Sequence, residues 1–323
     1  MTQPAITRSS IAGFESIQVN TGMLELTIIP ELGGKISSLR DVRSGREWFW
    51  RNPRIPYQHV PHGSSYIENA DTGGWDECFP SVSPCEYPGG PWKGAFIQDH
   101  GELWSQAADF ELDEQPGWVG LRTRWQGLAL PYTFTRSIML MADSARLRVN
   151  YSVQNNSRSP LNFVWCIHPL LAIEPGMQLR LPRPGRYNVN GTYPPGLLPS
   201  CSGLKYPFDL PGLNLPSIPQ PSAARAIKIW SDPLPMEEGW VALKAHNGEL
   251  RMQWDPALLQ QVAVWMNFGA WAGDGGAPYF NLGLEPCIGA QDSLADAFAP
   301  HNLFGNLHPY ALKTWWLEIE LLA

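Results

Sequence analysis

Apolar and polar residues alternate with a period of two in one segment after another. This pattern restricts the chain to strands that turn one face to a core. Leu24, Leu26 and Ile28 alternate with Glu25 and Thr27, and Leu147, Val149, Tyr151 and Val153 with Arg146, Arg148, Asn150 and Ser152. Near the end, Trp315, Leu317, Ile319 and Leu321 alternate with Thr314, Trp316, Glu318 and Glu320. Further strands are predicted over Trp118–Gln126, Tyr132–Met141, Asn162–Ile167, Ala226–Trp230, Trp240–Ala245, Leu250–Trp254, Gln261–Phe268 and Tyr279–Leu284. Turn residues punctuate them at Glu31–Gly34, Asn155–Ser157 and Asn247–Gly248. With 30 glycines and 31 prolines, long helices are disfavoured. Two short ones are predicted, Asp255–Leu259 with Asp255 as N-cap before Pro256, and Asp292–Ala299. Many strands with few helices predict an all-β sandwich or barrel.

Length alone suggests two domains, but large sandwiches exceed 200 residues as one unit. The only linker candidate, Pro182 to Pro221, contains Tyr187, Val189, Leu197, Leu198, Tyr206, Phe208 and Leu213, too apolar for a solvated tether. It reads as an ordered excursion over the sheet, and residues 1–323 as one domain. The formal charge of −7 disfavours a nucleic-acid partner. No uncharged apolar run reaches the roughly 18 residues of a spanning helix, so no membrane is expected. Met1 to Ser10 lack a secretory pattern, which makes the cytoplasm the expected location. Cys78, Cys85, Cys166, Cys201 and Cys287 form no CxxC pair, and His59, His62, His246, His301 and His308 repeat no metal spacing. Neither a disulfide framework nor a metal site is predicted.

Three segments put ionisable groups where strands ordinarily carry packing residues. In Gln98-Asp99-His100-Gly101-Glu102-Leu103-Trp104, glycine leaves room beside the imidazole and Trp104 offers an aromatic wall; a turn histidine bonded to a carbonyl is the plainer alternative. In Phe163-Val164-Trp165-Cys166-Ile167-His168-Pro169, the strand is expected to end at His168, because proline stops further pairing. In Tyr279-Phe280-Asn281-Leu282-Gly283-Leu284-Glu285-Pro286, Asn281, Gly283 and Glu285 share a face, with glycine clearing space beside the carboxylate. A carboxylate there must reach water, pair with a cation, or stand ready as a base. Gly73-Gly74-Trp75-Asp76-Glu77-Cys78-Phe79-Pro80 suits a loop that stacks on and hydrogen-bonds a polyol, with turn duties as the alternative. Asp232, before Pro233, ends a strand.

The order and spacing of the early glycine turn (TIIPELGGKISSLRD), His100-Gly101, strand-borne His168 and late Leu284-Glu285 resemble the aldose 1-epimerase (galactose mutarotase-like) family over most of the chain. The resemblance implies a large antiparallel β-supersandwich with the site on one concave sheet face. It implies Glu285 as general base, His168 as general acid, His100 as the second histidine that polarises the sugar, and Asp232 as a binder of sugar hydroxyls. Galactose-type members carry an Asn-Arg pair where this chain has Trp75-Asp76-Glu77; the GGWDECFP block is similar to a subgroup known only as aldose-epimerase-like. With Trp104, these three complete the expected substrate-binding set.

The expected reaction is interconversion of α and β anomers of a hexose or hexose derivative. One base on the C1 hydroxyl and one acid on the ring oxygen suffice, without metal or cofactor. Two rivals stay open. One is a non-catalytic sugar-binding protein on the same fold. The other is a hydrolase pairing Glu285 with Asp76 or Glu77, which leaves the histidines unexplained. The sequence fixes neither the sugar nor the oligomeric state.

Overall fold

The computed structural model describes residues 3–198, 203–210, 213–273, 275–298 and 302–323. Cys201, His301 and Ala299 lie outside them, as do parts of the Pro182–Pro221 stretch.

Two large antiparallel sheets face each other. The eleven-stranded sheet runs, edge to edge, through Ala5–Ile11, Phe14–Asn20, Leu24–Ile29, Lys35–Asp41, Gly74–Cys78, Trp165–Ala172, Phe280–Ile288, Gln261–Phe268, Arg225–Ser231, Tyr187–Tyr193 and Gly203–Leu204. The eight-stranded sheet runs through Gln178–Arg180, Trp240–Ala245, Gly248–Trp254, Leu312–Leu322, Arg146–Asn155, Tyr132–Met141, Trp118–Gln126 and Asp109–Gln115. The all-β supersandwich expectation therefore describes the chain.

The period-two segments around Leu147–Val153 and Trp315–Leu321 lie in the eight-stranded sheet, whose alternate residues are buried and solvated, whereas Leu24–Ile29 is a strand of the larger sheet. Its inner face meets the larger sheet through a cluster in which Trp315 stacks on Tyr151 at 5.5 Å and meets Trp165 edge-on at 4.9 Å. The middle strands of the larger sheet are buried on both faces. The near-continuous apolar run of Trp165–Ala172 follows from this: its inner face packs on the other sheet, and on its outer side the connection between Asp41 and Asp109 brings Phe49 to Leu171 and Tyr66 edge-on to His168. That connection carries the short helix Tyr66–Asn69, which Ser65 caps by accepting from the Glu68 N–H.

Several local expectations need correction. The Asn162–Ile167 segment is two strands, Leu161–Phe163 on Gly305–Leu307 and Trp165–Ala172 in the main sheet. Pro169 does not end the second one; the strand runs on to Ala172. Asp255–Leu259 is a hydrogen-bonded turn rather than a helix, with the Leu259 N–H on the Asp255 carbonyl at 3.0 Å. The second predicted helix spans Leu294–Phe298. Within the Pro182–Pro221 stretch, Tyr187–Tyr193 is a strand of the main sheet and Tyr187, Val189 and Phe208 join the core. Among the described residues no helix is long and apolar enough to cross a membrane.

Candidate functional site

His168 and Glu285 sit on neighbouring central strands, at a place where the ladder between them opens. Cys166 pairs with Cys287 and Leu170 with Gly283, but the three positions between make no recorded pair. Pro169 and Pro286 both fall in this gap, and neither has an N–H to donate. Two prolines on facing strands thus share one interruption, which accounts for a proline in the middle of a sheet. On its other side the strand pairs normally, His168 opposite Asp76.

His168 and Glu285 therefore lie side by side. Nδ1 of His168 is 3.3 Å from Oε1 of Glu285, and both atoms are buried without a hydrogen-bond partner, so the contact is an ion-pair approach with poor alignment. Oε2 of Glu285 accepts from Lys228 Nζ. Lys228, on Arg225–Ser231, also approaches Asp292 Oδ1 at 3.7 Å. Glu285 is completely buried. Burial pushes its carboxyl upward, but Lys228 and then His168 outweigh that and bring it down to about 2. Gly283 is what lets the carboxylate lie there, since a Cβ at that position would stand 2.6 Å from Oε1 and 3.1 Å from Trp265 Cβ.

His100 arrives from the covering connection. Its backbone has φ +57°, next to Gly101 at +75°, and an alanine Cβ at Gly101 would stand 2.1 Å from the Phe79 carbonyl. The ring stacks on Tyr66 at 4.1 Å and lies edge-on to His168 at 4.9 Å. Burial opposes its charging, but Asp99, 2.8 Å from Nδ1, prevails with help from Asp71 and raises its basicity above the ordinary value.

These groups open on a cavity of about 580 Å³. His168, Lys228 and His100 line it together with Asp71, Asn281 and Asp292; Trp265, Trp271 and Tyr193 give it aromatic walls. Glu285 lies beneath this lining and exposes no surface of its own. Among the described residues no cluster of three or more histidine, cysteine or carboxylate side chains is placed to hold a metal.

The structure thus brings His100, His168 and Glu285 together, and separates the other expected site residues from the cavity. Period-two parity divides Trp75-Asp76-Glu77. Trp75 packs edge-on against Phe49, and Glu77 lies between the sheets, where Arg136 at 3.2 Å, the Tyr151 hydroxyl at 3.0 Å and the Trp165 indole at 3.1 Å all donate to it. Asp76 points outward beside His168, but Lys35 and the Tyr66 hydroxyl, the latter at 2.7 Å, cover it. Glu77 thus faces away from Glu285, and Asp76 is buried under Tyr66 and Lys35 and takes no part in the cavity lining. Trp104 supports Tyr66 edge-on at 5.3 Å and donates its indole N–H to the Asp99 carbonyl. Asp232 lies outside the lining, accepting from Asn188 at 2.9 Å with Arg186 nearby at 3.6 Å. Lys228, Tyr66, Asp71 and Asp292 were not foreseen. Lys228 alternates with Ile227 and Ile229 and so reads as a solvent-facing residue, and only the covering connection turns that face into a site.

No family model matches the sequence, and no curated protein matches it. Solved structures do match. One from Klebsiella pneumoniae subsp. pneumoniae, provisionally described as an aldose 1-epimerase, is 14% identical with TM-score 0.71, covering 100% of this chain and 85% of that one. A galactose mutarotase-like protein from Lactobacillus casei is 16% identical with TM-score 0.62, covering 98% and 100%. A galactose mutarotase-like protein from Clostridium acetobutylicum is 12% identical with TM-score 0.65, covering 99% and 98%. The chain shares the galactose mutarotase-like sandwich fold.

Proposed function

We propose that this protein is an aldose 1-epimerase that interconverts the anomers of a small sugar in the cavity above His168. The observation that carries the reading is the adjacency of His168 and Glu285, 3.3 Å apart on one sheet face. In a cyclic aldose the C1 hydroxyl oxygen and the ring oxygen are bonded to the same carbon, so the base and acid that serve them must be neighbours.

Glu285 stays ionised throughout the neutral range and accepts the C1 hydroxyl proton at Oε1, the oxygen that Lys228 does not hold. His168 protonates the ring oxygen as the C1–ring oxygen bond breaks and the exocyclic oxygen becomes the aldehyde carbonyl. Rotation about C1–C2 and reversal of both transfers returns the other anomer, with each group restored. A hydroxyl reaches the buried Oε1 by taking the place that the His168 ring now occupies, so the two side chains open together on binding. His100, hydrogen-bonded to Asp99, donates to a sugar oxygen.

A second reading, sugar binding without turnover, has its own observation: a carboxylate held at about 2 by a buried lysine is a weak base. Optical rotation of freshly dissolved, anomerically pure D-glucose and D-galactose separates the two. The epimerase reading expects catalysed exchange that Glu285→Gln reduces at least a hundredfold while the sugar still binds. It also expects His168→Asn to lose most of the rate. Sugar binding by the native protein with no acceleration of exchange establishes the second reading instead.

A further inference from the structure

Among the described residues, five buried polar atoms on residues of the cavity wall lack a hydrogen-bond partner; Nδ1 of His168 and Oδ1 of Asp292 still face an opposite charge, at 3.3 and 3.7 Å, and three face none. These three are Oδ1 of Asp71 and both amide atoms of Asn281, on residues 4% and 1% exposed. Unpaired buried polar groups are scarce in folded proteins, because each gives up its bonds to water without replacement. An asparagine on the adjacent strand that serves structure makes the contrast. Asn267, directly across the ladder from Asn281, accepts from the Ala270 and Trp271 N–H groups and donates to the Trp271 carbonyl. Asn281 makes none of these bonds, and its partner on the other side is Ala172, which leaves space beside it. The Asp71 backbone is likewise fixed, its N–H on the Tyr66 carbonyl and its carbonyl accepting from Asn52, while its carboxyl is left free.

The two residues belong to the same end of the cavity. Asn52 Nδ2 donates to both the Asp71 carbonyl and the Tyr279 hydroxyl, each at 2.9 Å, and so ties the loop that carries Asp71 to the segment leading into Asn281. Glu285 leans toward that end, with Oε1 over Gly283. From Gly283 to Asn281 is two residues of strand, about 7 Å, a span on the scale of one pyranose ring.

Charge selects what can bind there. Each basic group lining the cavity already has a carboxylate: His100 has Asp99, His168 has Glu285, and Lys228 has Glu285 and Asp292. Among the described residues Asp71 has no cation within ion-pair distance. Burial holds its carboxyl above the usual range although His168 and His100 pull the other way. A ligand at this end must therefore bring hydrogen-bond donors and no negative charge.

We infer that Asp71 and Asn281 form a specificity subsite that binds the donor groups on the edge of the sugar remote from C1, selecting uncharged or amino sugars over anionic ones. The inference rests on the epimerase reading only for where C1 lies. A pair kept unpaired for a ligand weakens the empty protein and strengthens the occupied one.

Thermal melting tests this with Asn281→Leu, Asn281→Ala and Asp71→Asn, each without ligand and with D-glucose, D-galactose, D-glucosamine or glucose 6-phosphate. The expected result is that one or more of the first three sugars raises the native Tm and glucose 6-phosphate does not. Asn281→Leu should melt no lower than native when empty, and all three variants should lose the sugar-induced rise. Variants that melt several degrees lower yet keep the rise would show a structural pair and overturn the inference. So would a native protein that none of the first three sugars stabilises, or one that glucose 6-phosphate stabilises equally. The two readings fail separately. If the native protein exchanges anomers and the variants keep its KM, the subsite falls and the epimerase stands. If sugars bind through Asp71 and Asn281 but exchange is not accelerated, the subsite stands and the epimerase falls.

Discussion

At the scale of single residues, Gly283 shows how narrow the tolerance of the site is. Its φ does not demand glycine; the demand comes from the space that Oε1 of Glu285 and Trp265 Cβ already occupy. Gly283→Ala should displace the carboxylate from Lys228 and His168, costing about 1 to 3 kcal/mol through overpacking. Urea unfolding should show that loss, together with a fall in anomer exchange; a variant of native stability would mean that the carboxylate shifts at no cost. This glycine was legible in the sequence, because Asn281, Gly283 and Glu285 share strand parity. Lys228 was not, because a lysine between two isoleucines has the same pattern whether water or a loop lies above it. Asp71 was hidden for a related reason: a loop carboxylate carries no periodicity, and its burial depends on the packing of Tyr66 and Asn52 around it.

Strands and their pairing were the most legible level. Trp118–Gln126, Tyr132–Met141, Trp240–Ala245 and Gln261–Phe268 have the bounds that alternation and turn residues predict. The failure at Pro169 is instructive. Pro169, in register with Leu284, and Pro286, in register with Ile167, fall in one three-residue gap after which the ladder resumes at Leu170, and no single segment reveals that its partner also carries a proline. Parity also explains why the acidic pair next to Trp75 could not be read. Adjacent residues point to opposite faces, so one of Asp76 and Glu77 had to enter the core, and Arg136, Tyr151 and Trp165 supply the donors that receive Glu77 there. The buried Glu77–Arg136 pair joins the sheets, with both side chains fully enclosed. Glu77→Gln should cost about 3 to 5 kcal/mol because it leaves the guanidinium without its counter-ion, and Glu77→Met with Arg136→Met should cost less than the two single changes together. Chemical unfolding of the four proteins of this cycle measures the coupling. Strict additivity would show that the two groups do not interact.

For the molecule as a whole, the site's charges make stability depend on pH with opposite signs on the two flanks. Glu285 has its folded pKa depressed to about 2 from an ordinary 4.5, so it contributes stability fully above 4.5 and loses it as pH falls toward 2. Asp99 is also depressed: burial pushes it up, but His100 overcomes that, and it acts in the same direction. His100 has the contrary sign. Its folded pKa lies above the ordinary 6.5, so its contribution is complete below 6.5 and disappears as pH rises through the folded value. Asp71, raised by burial, subtracts stability once it ionises and so partly offsets the acid loss. The difference in unfolding free energy between native protein and Glu285→Gln should therefore be constant above about pH 5 and shrink steadily from 4.5 toward 2. The difference between native protein and His100→Gln should instead shrink on the alkaline side of 6.5. Urea titrations from pH 2.5 to 9 on the three proteins resolve both limbs. A Glu285→Gln curve parallel to native through the acid limb would mean that Lys228 and His168 do not hold that carboxylate ionised in the fold. The geometry at the cavity floor would then have to be explained without a charged Glu285.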